Sequence, residues 1–155
     1  MTTWKQALCE GAVSGSLASI FSAAYLALAG KRRDEPAAPL NAVSHWFFGN
    51  RALREDEPST LYTLTGYLVH HSASIFWGVL HAKAWGGRPE AKQPLPALAG
   101  AAAAATVASF VDYQLTPKRL TPGFEHRLGK PEMLNVYACF ALGLAIGSML
   151  MKSRH

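Results

Sequence analysis

The stretch YLVHHSASIFWGVLHAKAW, from Tyr67 to Trp85, places three histidines in an otherwise apolar run. Imidazole binds transition metals and haem iron, and its proton exchanges near neutral pH. At about 100° per helical residue, His81 falls only about 20° around the helix from His70. Tyr67, Ser74 and Trp77 lie near the same line, so Tyr67, His70, Ser74, Trp77 and His81 form one polar and aromatic stripe. His71 points about 100° away. His81 lies about 16 Å further along the helix than His70, too far for one metal ion to take both.

Asp112, in SFVDYQLTP, is the acidic residue set deepest in an apolar run. A carboxylate there must pair, hydrogen-bond, coordinate a cation or hold a proton. Three chemistries follow. His70, His71 and Asp112 together carry ligand types that suit Zn or Fe. Haem needs a second axial ligand opposite His70 or His71, and His45 and His126 are the candidates. As titrating groups, Asp112 and His70 suit proton movement. The bland alternatives are a hydrogen-bonded core histidine and a carboxylate that pins the following loop through Lys118 or Arg119. HExxH, CxxC, GxSxG and a phosphate-binding glycine loop are all absent, so no enzyme class is assigned.

These residues need elements to hold them. Charged residues make up 16% of the 155 residues and hydrophobic ones 50%, below the roughly 25% charge usual in soluble domains. Four stretches carry no Asp, Glu, Lys or Arg: Gly11–Gly30, Pro58–Ala82, Gln93–Val111 and Met133–Met151. Each reaches the roughly 17–25 residues that cross a bilayer core. The pattern predicts an all-α integral membrane protein, residues 1–155 forming one domain. Four transmembrane helices, over about 7–30, 60–84, 95–115 and 133–151, form an antiparallel bundle. A soluble four-helix bundle would need polar faces that LNVYACFALGLAIGSMLM lacks. Ala27-Leu28-Ala29 fits a signal cleavage pattern, but the apolar run is long and begins at Glu10, which favours an uncleaved first helix.

Between the first two spans, LNAVSHWFFGNRALRE (Leu40–Glu55) is too short to cross and predicts an interfacial helix. Leu40, Val43 and Phe47 supply its apolar face, with Trp46 and Leu53 as candidates beside them. Ser59 or Thr60 is the expected cap of the second span. Thr121 and Pro122 predict a short surface helix over PGFEHRL. ALAGAAAAATVAS predicts a thin third helix able to sit in the middle of a bundle, and GxxxG spacing at Gly11/Gly15 and Gly143/Gly147 predicts close packing. Cys9 and Cys139 read as small core residues.

Antiparallel spans put both termini and the 86–94 connection on one side, with loops 31–58 and 116–131 on the other. Lys31, Arg32, Arg33, Arg51, Arg54, Lys118, Arg119, Arg127 and Lys130 lie on the loop side; Lys5, Lys83, Arg88, Lys92, Lys152 and Arg154 lie opposite. The positive-inside rule then places loops one and three in the cytoplasm of a multi-pass protein of a bacterial inner membrane. This arrangement gathers Asp112, His45, Arg119, Glu125 and His126 at one end. They form a polar vestibule above His70 and His71, with Tyr67 and Ser74 along its wall. The net charge of +5 is scattered over loops and tails, which argues against nucleic acid. The first functional expectation is an accessory or structural membrane component. It meets the lipid bilayer and a homo-oligomer or membrane partner through its GxxxG faces. The alternatives are a Zn-, Fe- or haem-binding protein, and an oligomeric proton-coupled transporter or channel.

Overall fold

Residues 1–151 are described by a computed structural model; Lys152 and Arg154, counted above, lie outside the described residues. The chain is all-helical, with no strand among the described residues. Helix α1 spans Trp4–Lys31, α2 Ala38–Val43, α3 His45–Phe48, α4 Thr65–His81, α5 Pro94–Phe110 and α6 Lys130–Leu150. Wider π turns extend α4 at both ends, over Thr60–Leu64 and Ala82–Gly86, and α5 at its end, over Val111–Leu115. Three helical segments are long and apolar enough to cross a membrane: Trp4–Lys31, Pro94–Leu115 and Lys130–Leu150. The segment built on α4 is not among them; it carries His70, His71, His81 and Lys83.

The chain divides into two compact units. The first contains Met1–Ser22, His71–Ala108 and the chain from Tyr137 on. Its helices meet at glycines. A Cβ on Gly15 would lie 2.6 Å from the Ile75 Cα, and one on Gly78 2.7 Å from the Gly11 carbonyl oxygen. A Cβ on Gly143 would lie 2.5 Å from the Leu17 carbonyl, and one on Gly147 2.8 Å from the Ser14 Cβ. Real side chains cannot occupy such positions, so α1 packs backbone to backbone against α4 on one side and α6 on another. The GxxxG pairs are thus occupied within the chain. Ala18, which the sequence places on the same face as Gly11 and Gly15, instead joins a core with Ala97, Ala101, Ala105, Phe140 and Leu144.

Helix α5 differs from the expectation of a central position. Only Ala97, Ala101, Ala105 and Ala108 are buried on it, a stripe at spacings of four and three. Its most apolar window is 22% buried, against 44% for those of α1 and α6. Alanine reduces the helix's diameter, but one contacting stripe leaves Leu95, Leu98, Val107 and Phe110 exposed. Cys9 is exposed and Cys139 half-buried, so Cys9 is no core residue.

The second unit contains Ala23–His70 and Ser109–Val136. Ser59 caps the α4 segment: its hydroxyl accepts from the Tyr62 amide at 2.9 Å, and the Thr63 hydroxyl accepts from the Ser59 amide at 2.9 Å. Loop one corrects the expectation of a continuous interfacial helix over Leu40–Glu55. It breaks into α2, α3 and a 3-10 turn over Gly49–Arg54. The Ser44 hydroxyl donates back to the Asn41 carbonyl at 2.7 Å, and Gly49 adopts φ +60; both interrupt helical continuation. Pro39, Asn41, Ala42, Val43 and His45 are buried, and only Phe47 of the expected apolar face is strongly exposed. The segment is therefore packed into its unit and does not lie flat on a surface. Loop three likewise forms a shorter element than the helix expected over PGFEHRL. It makes 3-10 turns over Lys118–Leu120 and Phe124–His126, with Phe124 buried.

Replacing Gly147 with leucine forces a branched side chain against the Ser14 backbone. The expected loss is about 1–3 kcal/mol or more, seen as a lower melting temperature in detergent, while Ala102→Leu on the exposed side of α5 leaves melting unchanged.

Candidate functional site

The polar stripe of α4 is turned inward: His70, Ser74 and His81 are buried, and Tyr67 and Trp77 half-buried. Its histidines have separate surroundings. His70 stands edge-on to the buried ring of Phe124, with centroids 6.3 Å apart. His71, pointing elsewhere as its 100° offset requires, sits between two serines of α1: Nε2 is 3.3 Å from the Ser16 hydroxyl and Nδ1 3.0 Å from the Ser19 hydroxyl. Asp112 is half-buried in the π turn that ends the α5 segment. Among the described residues, no three or more His, Cys, Asp or Glu side chains converge to hold a metal ion, so His70, His71 and Asp112 are not assembled as a ligand set.

Part of the expected vestibule set does come together, within the second unit. The buried His45 donates from Nε2 to the Thr121 carbonyl at 2.9 Å, and the Trp46 indole donates to the same oxygen at 2.9 Å. The Thr121 hydroxyl donates to Glu125 at 2.6 Å, and the other Glu125 oxygen accepts from the Gly123 amide at 2.6 Å. His126 lies 3.7 Å from Glu125 and 6.4 Å, ring to ring, from His45. Arg119 is exposed. Burial holds the His45 pKa below its ordinary value; His126 and Arg119 add to this, and Glu125 opposes them. The loop gains further anchors that sequence reading does not single out. Arg127 donates to the Leu53 carbonyl at 2.9 Å and pairs with Glu35 at 2.7 Å and with Asp56. Asn41, fully buried, donates to the carbonyls of Glu55 and Glu57 and accepts from the Thr63 hydroxyl. These contacts staple loop to loop, which is a structural task.

A second cluster, in the first unit, was not expected. Glu10, nearly two turns into α1, pairs with Lys92 at 2.8 Å, the two side chains being 8% and 13% exposed. The Ser148 hydroxyl of α6 donates to the other Glu10 oxygen at 3.0 Å, and Lys92 also donates to the Ser148 carbonyl at 3.0 Å. The π turn Ala82–Gly86 brings Gly86 against this group. A Cβ there would lie 2.6 Å from Glu10 Oε1 and 3.0 Å from His81 Nδ1. His81 is 4% exposed, and neither ring nitrogen has a hydrogen-bond partner among the described residues. Leaving such a group unmatched costs about 1–3 kcal/mol. The sequence signal for this cluster was faint: a lone carboxylate at the start of an apolar helix, and one lysine in a connection. Nothing links residues 10, 81, 92 and 148 in sequence.

Flanking the cluster, the Lys83 ammonium sits 5.1 Å from the Trp4 ring, and the Arg88 guanidinium 5.4 Å from the Trp85 ring. Such cation–aromatic pairs suit the headgroup region of a membrane. Comparison with known proteins adds no relative to this picture: no family model, no curated protein and no solved structure matches the chain.

Removing one partner of the buried pair strands the other charge. Lys92→Met is expected to lose about 3–5 kcal/mol, and adding Glu10→Gln recovers most of it, read as melting temperatures in detergent. A second expectation concerns pH. His45 in the folded state binds protons less readily than in the unfolded chain, so its contribution is complete above the ordinary imidazole value of 6.5 and is lost as pH falls below it. His45→Gln keeps a donor for the Thr121 carbonyl and should flatten that part of the stability–pH curve.

Proposed function

We propose that the chain is a four-span membrane protein acting as an accessory or structural component of a cell membrane. The fourth span is the continuous helical segment Thr60–Gly86. What supports this assignment is the division of its surface. Leu61, Leu64, Leu68, Phe76 and Leu80 are exposed along one side, while Gly66, His70, Ser74, Gly78 and His81 are buried on the other. His70 and His81 are turned away from lipid, and the side that meets it is mainly aliphatic and aromatic.

The structural reading rests on how polar groups in the spans are used. His71 is matched by serines, and the serines of α1 close hydrogen bonds to their own helix, as Ser14 does to the Glu10 carbonyl and Ser22 to the Ala18 carbonyl. The glycine pairs bind the chain to itself, so a partner or a second copy would meet it on other faces, among them the exposed sides of α5 and α6. A bacterial inner membrane with loops one and three in the cytoplasm remains the orientation that the count of lysines and arginines favours.

The test is an absorption spectrum with elemental analysis on detergent-purified protein. The structural reading expects no Soret band and no stoichiometric metal. About one equivalent of metal, or a haem band, lost in His70→Ala or His71→Ala, replaces it with the metal or haem reading.

A further inference from the structure

We propose that Glu10, His81, Lys92 and Ser148 form a proton-binding site, with the His81 ring as acceptor and the Glu10 carboxylate as its counter-charge. Three independent features converge there. A carboxylate and an ammonium are paired where both are almost wholly buried. An imidazole that is 4% exposed keeps both nitrogens unmatched among the described residues, and only Gly86 stands between it and that carboxylate: a Cβ there would lie 3.0 Å from His81 Nδ1 and 2.6 Å from Glu10 Oε1. The helix widens into a π turn at Ala82–Gly86, a distortion frequent at functional positions. Gly86 is what admits the approach, since any side chain there would strike both Glu10 and His81.

The chemistry is a simple exchange. A hydronium ion gives its proton to the ring nitrogen that carries none and leaves as water. The imidazolium then has an N–H on each nitrogen and a full positive charge, and Glu10 Oε1 is the nearby carboxylate oxygen that can accept from it. The two cations then compete for one carboxylate. Among the described residues, the charged groups around the ring are Glu10 from α1 and Lys92 from the connection before α5; α6 contributes the neutral Ser148, and Lys83 on the same helical segment is held by the Thr2 carbonyl and the Trp4 ring. Lys92, the most exposed member at 13%, marks the way to solvent. Protonation of His81 draws Glu10 away from Lys92, and the connection 87–93, anchored through Lys92 to Glu10 and Ser148, loosens.

The proposal does not depend on what the protein assists in its membrane. It is tested by labelling the six histidines with ¹³C and ¹⁵N and following their ring resonances from about pH 8 to about pH 2.5 in detergent or nanodiscs. The expected result is one reversible single-step titration that disappears in His81→Gln. Its midpoint rises by about one unit, or tenfold in proton affinity, in Lys92→Met, because a like charge has been removed. A His81 resonance that stays fixed across the range, or that titrates identically with and without Lys92, overturns the proposal. If Lys92→Met does not fold, a second measurement decides. The buried Ala91 is replaced by cysteine in a Cys9→Ser/Cys139→Ser background, and its thiol labelling is compared at each pH with the same variant carrying His81→Gln. Faster labelling at low pH only when His81 is present supports the exchange; equal rates at every pH refute it.

Discussion

The close approach of α1 to its two neighbours is the contact on which the first unit depends. In an apolar solvent, helices gain little from hiding carbon surface, so they associate through packing and hydrogen bonds that small residues permit. Gly11 and Gly15 let α1 touch the backbone of α4, and Gly143 and Gly147 let α6 touch the backbone of α1. The polar cluster inherits its geometry from these contacts. Glu10 adjoins Gly11, Ser148 adjoins Gly147, and His81 follows Val79, the residue that meets Gly11, on the next half-turn. Once glycine contacts set the helix separations, a carboxylate, a hydroxyl and an imidazole at those neighbouring positions are forced into one small volume. Lys92 then reaches it from the connection.

What was legible in the sequence follows from this hierarchy. Runs without charge mark helices that expect lipid, and three of the four meet that description in the structure. The remaining run was legible as a helix with Ser59 or Thr60 as its cap, and the structure uses Ser59, because local hydrogen-bonding chemistry is written in neighbouring residues. The GxxxG spacing foretold close contact but not the partner, since a small-residue face fits any backbone. Loop one misled for the opposite reason. Its apolar residues have helical spacing, yet Ser44, Gly49 and the fully buried Asn41 divert the backbone into short pieces whose carbonyls are satisfied by side chains.

The histidines show the same limit from the side of chemistry. Angular arithmetic separates His71 from His70 and places His70 and His81 on one stripe, which the structure buries. It cannot say what stands opposite. His70 meets a phenylalanine from loop three, His71 meets serines of α1, and His81 comes beside a glutamate that lies 71 residues away in sequence. A ligand set requires side chains from several elements to point at one spot, and three histidines on one helix at offsets of one and eleven residues cannot do so themselves. Residue type was a good guide to which positions carry chemistry, and a poor one to which of them share a site.

Energetics gives the Glu10–Lys92 pair a meaning beyond cohesion. Taking two charges out of water costs several kcal/mol each, and apolar replacements of such pairs are often neutral or stabilising. Glycine contacts and an alanine core already hold these helices together, so the pair is not needed to join them. Beside it, His81 leaves two ring nitrogens unmatched where a leucine would pack at no such cost. Two unfavourable terms side by side, each avoidable by a simpler residue, are what a site with a task looks like. The carboxylate has one oxygen on an ammonium and the other on a neutral hydroxyl. Its balance between Lys92 and His81 therefore turns on a single proton.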